Sequence, residues 1–195
     1  MPNLYIISGP SGVGKGTIIR EVIHRVDSIK LAVSATTRQP RAGEVNTQHY
    51  YFLSDAEFSR FVDSGEFVEW CQVFDNRYGT LRKEVDQIKA SGYDALLEID
   101  VQGAQKVKQA VPDAICIFIA PPSESVLKER LIKRATEDEH VMNRRLKVAQ
   151  NELAAQEQYD FIVINDTQEH AVQEVIDILE RCSTQIESTK ENSHG

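Results

Sequence analysis

The chain has 195 residues and a formal net charge of −8, with 22 Lys and Arg against 30 Asp and Glu. Hydrophobic residues make up 41% and charged residues 27%, a composition that excludes a disordered chain and suits one compact domain with a sizeable core. The acidic balance argues against a general nucleic-acid-binding surface, and no apolar run approaches the roughly 18 residues that a membrane span requires.

In chain order, Leu4-Tyr5-Ile6-Ile7-Ser8 is a short apolar run that predicts a buried strand. Its apolar part is too short, and the glycines after it come too early, for a signal peptide. Cys71, Cys116 and Cys182 are widely separated and odd in number. They fit neither a zinc site nor a disulfide framework, so a cytoplasmic location is expected.

Gly9-Pro10-Ser11-Gly12-Val13-Gly14-Lys15-Gly16-Thr17 follows that strand and opens a predicted helix. Phosphate binding needs backbone N–H groups to converge on anionic oxygens, and glycines permit that close approach. The N-terminal dipole of the helix adds to it, and Lys15 can reach terminal phosphates. A turn that merely joins strand to helix is the plain alternative, against which Lys15 and the strand–loop–helix context speak. Gly16 stands where Ser or Thr usually follows the lysine, and Thr17 comes one place later. This leaves open which hydroxyl, if any, touches Mg2+.

Residues 34–80 hold most of the aromatics and read as short strands plus one helix. That helix is expected to start at Ser54, with Glu57 completing a capping box. Before it, Arg38 and Arg41 lie three residues apart in a segment with Pro40 and Gly43, which predicts a rigid loop. Their guanidinium groups can pair with a phosphate, and Tyr50 and Tyr78 can add phenolic donors. Taken singly, these would be solvated arginines and packed tyrosines. Glu69 sits in Phe67-Val68-Glu69-Trp70, an apolar setting in which an ion needs a partner; an exposed strand-edge acid is the alternative.

Further buried strands are predicted at 95–99, 115–119 and 161–164, separated by stretches long enough for helices. Such alternation favours a parallel sheet covered on both faces. Asp100 follows the strand at 95–99, at the sheet edge where ligands bind in open α/β folds, and is expected near the cradle. Glu98 lies two residues back on the same strand face. Capping of the next helix by Asp100 is the alternative, and the two roles are compatible. The charged segment 128–158 has one apolar stripe of Met142, Leu146, Ala149 and Leu153. In the last helix Val172, Val175, Ile176, Leu179 and Cys182 share a face. A polar tail is expected after Ile186.

With these motifs in place the chain resembles the guanylate kinase family. GPSGVGKGT, SATTRQPRAGE, HYYF, EFVEW, RYGT, LLEIDVQGA, IAPPS and VINDT occur in the family's order and spacing, from about residue 4 to 180. The resemblance implies an α/β P-loop three-layer fold with a central parallel five-stranded sheet, a GMP-binding insert and a helical lid. It divides the chain into a core (1–33, 81–127 and 159–186), the insert (34–80), the lid (128–158) and a tail (187–195). It also implies phosphoryl transfer from ATP to GMP, and to dGMP, with Mg2+, in purine nucleotide metabolism.

By position, Gly9 to Thr17 would bind ATP. Ser34, Glu69 and Thr80 would read the guanine, while Arg38, Arg41, Tyr50 and Tyr78 would hold the GMP phosphate. Glu98 and Asp100 would complete the acceptor site. Lys15, Arg38, Arg134 and Arg145 would serve catalysis, and Thr17 and Asp100 are the candidates for Mg2+, directly or through water. Arg130 and Arg144 stay open between a part in the lid's phosphate-binding arginines and ion pairs on a solvated helix, and no histidine is assigned a catalytic role. Thr47 stands where the family often has a turn glycine, and Arg77 where it often has an aromatic. The expected partners are ATP and GMP, without nucleic acid or membrane; monomer and homo-oligomer stay open. Two rivals are a guanylate-kinase-like protein-interaction module and a related P-loop kinase with another phosphorylated acceptor.

Overall fold

A computed structural model describes residues 2–73, 75–134 and 139–191, with backbone alone for 133, 134, 139–146 and 184–191. The elements begin β1 (Leu4–Ser8), α1 (Lys15–Arg25), β2 (Ile29–Leu31), β3 (Ser34–Thr36), β4 (Tyr51–Phe52), α2 (Asp55–Asp63), β5 (Phe67–Val73) and β6 (Asn76–Leu81). They continue with α3 (Arg82–Ala90), β7 (Asp94–Glu98), α4 (Val101–Ala110), β8 (Ile115–Ala120), α5 (Glu124–Arg134), α6 (Glu139–Ala154), β9 (Phe161–Ile164) and α7 (Gln168–Glu191). Strands in the order β2-β7-β1-β8-β9 form a parallel five-stranded sheet; the alternation predicts a parallel sheet and the family resemblance implies its five strands. Among the described residues, no helix is long and apolar enough to cross a membrane.

The chain divides into two compact units, one of Met1–Ile6 with Ser28–Cys116 and one of Ile7–Asp27 with Ile117–Gly195. These cut the core strands rather than following the insert and lid boundaries drawn from sequence.

In the first unit, β4-β3-β6-β5 form a second, four-stranded sheet. Its core is Ala35, Phe58, Phe67 and Leu81, with Phe58 stacked on Phe67 at 4.5 Å between ring centroids. Helix α2 starts where the capping box predicts: the Glu57 N–H donates to Ser54 Oγ at 3.2 Å, and the Ser54 N–H to Glu57 Oε2 at 2.8 Å. Arg77 ties β6 to this helix by donating to Asp55 Oδ1 at 2.7 Å and Ser59 Oγ at 3.0 Å, with its guanidinium over the Phe58 ring. An aromatic at this position would make none of these polar bonds.

In the second unit, Arg25 of α1 meets Glu169 of α7 through two hydrogen bonds of 2.7 Å. The expected apolar face of α7 is buried at Val172, Val175, Ile176, Leu179 and Cys182. Leu127 and Leu131 of α5 pack on Ala149 and Leu153 of α6. The rest of that stripe, Met142 and Leu146, lies outside the described side chains.

Three boundaries differ from expectation. Strand β2 is not visible as an apolar run, because only Ile29 of its three residues is buried. Helix α5 starts before residue 128, since Ser123 Oγ accepts the Val126 N–H at 3.3 Å and caps it. Helix α7 continues to Glu191 where a polar tail was expected from 187; 192–195 lie outside the described residues.

Candidate functional site

The site residues predicted from sequence fall into two clusters, one within each unit. In the second unit, the loop between β1 and α1 holds Gly9, Gly12 and Gly14 at φ of 144°, 83° and 104°. A Cβ on Gly9 would stand 2.3 Å from the Ile119 carbonyl oxygen, so only glycine lets the loop lie this close to β8. Lys15 donates its ammonium to the carbonyls of Gly9 and Pro10 at 2.6 and 3.3 Å. Helix α1 has no acid in its first turn and no side-chain cap, which leaves its positive N-terminal end to an anion. A carboxylate already approaches: the Ser11 N–H donates to Glu152 Oε2 at 3.4 Å.

Beside the loop lies a cavity of about 370 Å³ whose lining includes Gly12, Gly14, Thr17, Arg130, Asn165 and Gln168. Asn165 is buried and donates Nδ2 to Val13 O at 2.6 Å. Arg130 donates to Val13 O and Asn165 O, each at 3.2 Å. Arg130 therefore braces the glycine loop, rather than forming the solvated ion pair that was one of its two readings. Arg134, Arg144 and Arg145 lie outside the described side chains.

In the first unit, strand register gathers the base-reading candidates. Ser34 of β3 pairs with Thr80 of β6, and Thr80 with Glu69 of β5. A register shift between Phe67 and Glu69 precedes the pair, and Phe67, Glu69 and Cys71 then share the buried face of β5. Thr80 donates its hydroxyl to Glu69 Oε1 at 3.1 Å. Oε2 of the same carboxylate is buried without a partner among the described residues. With Glu69 only 5% exposed, burial pushes its carboxyl up to about 7, and the Asp100 charge adds to the rise while Thr80 opposes it.

Helix α4 closes over this carboxylate. Asp100 is its N-cap, accepting the Gly103 N–H on Oδ1 at 2.7 Å and the Cys71 thiol on Oδ2 at 3.1 Å. A Cβ on Gly103 would come within 2.9 Å of Glu69 Oε2 and 3.2 Å of Asp100 Oδ1. Burial, together with the Asp100 charge, raises the Cys71 thiol well above its ordinary value, so it is a donor here.

The phosphate-holding candidates form a neighbouring cluster. Arg38 places Nη1 and Nη2 on the two oxygens of Glu44 at 3.0 and 2.9 Å. Glu44 also takes the Arg41 N–H at 2.7 Å. Arg38, with that N–H, holds the Glu44 carboxyl down at about 2. The Arg38 guanidinium lies 5.4 Å from the centre of the Tyr50 ring, and Tyr50 meets Tyr78 edge-on at 6.2 Å. Burial, then the nearby Glu98 charge, raises the Tyr50 hydroxyl. His49 only accepts the Val45 N–H on Nδ1, at 3.0 Å.

Sequence reading missed Glu44, Cys71 and Gly103. Glu44 closes the quoted arginine segment, and Cys71 stands two strand positions from Glu69; the helical approach of Gly103 left no local signal. Among the described residues, no three His, Cys, Asp or Glu side chains group as a metal cage.

Comparison with known proteins gives one consistent result. A family model described as guanylate kinase matches residues 1–182. The guanylate kinase of Caldanaerobacter subterraneus subsp. tengcongensis is 46% identical over 181 residues, 92% of this chain and 88% of that protein. The guanylate kinase of Carboxydothermus hydrogenoformans is 43% identical over 176 residues, 90% of this chain and 86% of that protein. A crystal structure of guanylate kinase from Anaplasma phagocytophilum superposes with a TM-score of 0.76 at 32% identity, covering 92% of this chain and 85% of the other.

Proposed function

The chain belongs to the guanylate kinase family, and from that premise we propose that it moves the γ-phosphoryl group of ATP to GMP or dGMP, giving ADP and GDP or dGDP. The observation that carries the acceptor assignment is the buried Glu69 carboxylate, with Oε2 unpartnered among the described residues and Oε1 braced by Thr80. Guanine offers two adjacent donors, N1–H and the N2 amino group, which one carboxylate can accept together. Adenine presents an acceptor at N1, which the same oxygens repel. Ser34 and Thr80 extend this row of polar groups along the base.

The acceptor phosphate is assigned to Arg38, Arg41, Tyr50 and Tyr78. Glu44 keeps the Arg38 fork in one plane, so its remaining N–H groups meet an anion with little ordering cost. The loop from Gly9 to Thr17 is assigned to the triphosphate, with Lys15 moving from the carbonyls of Gly9 and Pro10 to the more negative phosphate oxygens. The cavity lined by Thr17, Arg130 and Asn165 suits the nucleoside end. Catalysis then consists of positioning and charge neutralisation. Lys15 and Arg38 supply cations, and Arg134 and Arg145 are proposed to add theirs. No side chain needs to act as a base, because the attacking phosphate oxygen is already an anion.

The residues suit Mg2+, which is commonly bound by phosphates, water and one or two protein groups rather than by a protein cage. Thr17 or, in the other unit, Asp100 would hold it, directly or through water, and when bound it would supply further neutralisation of phosphate charge.

A coupled assay of ADP release with ATP and Mg2+ tests the reading across GMP, dGMP, AMP, UMP and ribose phosphate. Turnover with the two guanine nucleotides well above the other three is expected. No acceptor-stimulated turnover would favour a protein-interaction module, and preference for a non-guanine acceptor would point to another P-loop kinase.

A further inference from the structure

The Glu69 and Asp100 carboxylates stand side by side under the first turn of α4, where the Cβ position of Gly103 lies within 3.2 Å of both. Three of their four oxygens receive a donor from the protein. Thr80 serves Glu69 Oε1, the Gly103 N–H serves Asp100 Oδ1, and the Cys71 thiol serves Asp100 Oδ2. Glu69 Oε2 is left as the buried oxygen without a partner among the described residues.

One bond to a carboxylate leaves its plane free to turn; a second, to the other oxygen, stops it. For Asp100 the first bond is the ordinary helix cap, and the second comes from a strand residue. Cys71 is in position because it lies two residues after Glu69 on β5, with its side chain on the same buried face. Its register partner is Tyr78, next in the row beyond the Thr80–Glu69 pair. A thiol here is small enough to sit beneath α4 and can donate only one weak hydrogen bond.

We infer that Cys71 is a positioning residue of the acceptor pocket, whose thiol fixes the plane of the Asp100 carboxylate beside Glu69 for the incoming base. The inference rests on the reading of this pocket as the guanine site. Without the thiol, Asp100 Oδ2 loses its partner and the carboxylate is free to turn about its bond to the Gly103 N–H. It then turns toward Glu69 or competes for the donors of the base, and GMP binds less well.

A double-mutant cycle read by calorimetric titration of GMP tests this. Cys71→Ala is expected to weaken GMP binding about five- to tenfold, and Cys71→Ser, which restores a donor, to recover most of that loss. Binding of ATP to the same variants, the control for folding, is expected to change less than about twofold. In an Asp100→Asn background, which keeps a competent helix cap, Cys71→Ala is expected to add no further loss of GMP affinity. Equal GMP affinity in Cys71→Ala and the parent, equal damage by Ser and Ala, or full additivity with Asp100→Asn would each overturn the inference. If the unaltered protein gives no GMP heat at all, the guanine reading fails instead. If Cys71→Ala does not fold, Cys71→Val, which fills the same space without a donor, carries the same comparison in both backgrounds.

Discussion

A carboxylate that accepts two hydrogen bonds from a base must be ionised when the base arrives. Burial holds the Glu69 carboxyl at about 7 in the folded protein, against an ordinary 4.5, so below neutrality the empty pocket carries a proton that the base must displace. Guanosine, which lacks the titrating phosphate, should therefore bind more tightly as pH rises from 6 to 8, with a slope approaching tenfold per unit below the midpoint. The Glu69→Gln variant should bind more weakly and lose the slope; an unchanged slope would place the titration elsewhere. Stability runs the opposite way. The folded state keeps a proton that the unfolded chain loses above 4.5, so this contribution is full below that value and disappears as pH rises through about 7. Lys15→Ala should lower kcat by roughly 10²–10³-fold while leaving GMP affinity nearly intact, because it removes a cation from the transferred group alone. Lys15 was legible from the glycine loop, whereas Glu69 was singled out through the family resemblance, since its apolar setting alone left an exposed strand-edge acid open. Glu44 was not, because an acid six residues from Arg38 shows no partner until the loop is folded.

At the scale of elements, local rules account for most of what was legible. The strands at Leu4–Ser8 and Phe161–Ile164 match the apolar runs, and the Ser54–Glu57 box marks the start of α2. Where packing or backbone conformation decided, sequence was weaker. Thr47 takes φ of 67°, a left-handed conformation costly for a β-branched residue, and is held there by donating its N–H to Tyr50 O at 2.8 Å. Thr47→Gly should thus stabilise the fold by about 1 kcal/mol in urea unfolding; a loss of stability would show that the threonine side chain matters more than the strain. Gly103 shows the opposite dependence. A Cβ there would press on Glu69 Oε2, so Gly103→Ala should raise the KM for GMP several-fold while that for ATP stays within twofold. Parallel changes in both would mean a disturbed helix rather than a crowded pocket.

Across the whole molecule, an acidic chain of net charge −8 gathers its cations where phosphates are expected. Lys15 stands at the glycine loop, and Arg38 and Arg41 in the loop ahead of the second sheet. In an otherwise negative protein, such local cations are proposed to let each unit hold the phosphates of its own nucleotide. Family membership agrees with the fold, while the proposed choice of guanine rests on one buried carboxylate. Calorimetric titration of GMP and AMP into the magnesium-supplied protein, repeated with Glu69→Ala, addresses that choice most directly. The account predicts heat with GMP and little with AMP, and a loss of about 1–3 kcal/mol of GMP affinity in the variant for each donor left unpaired, with ATP binding unchanged. Equal binding of the two purines by the unaltered protein would contradict it.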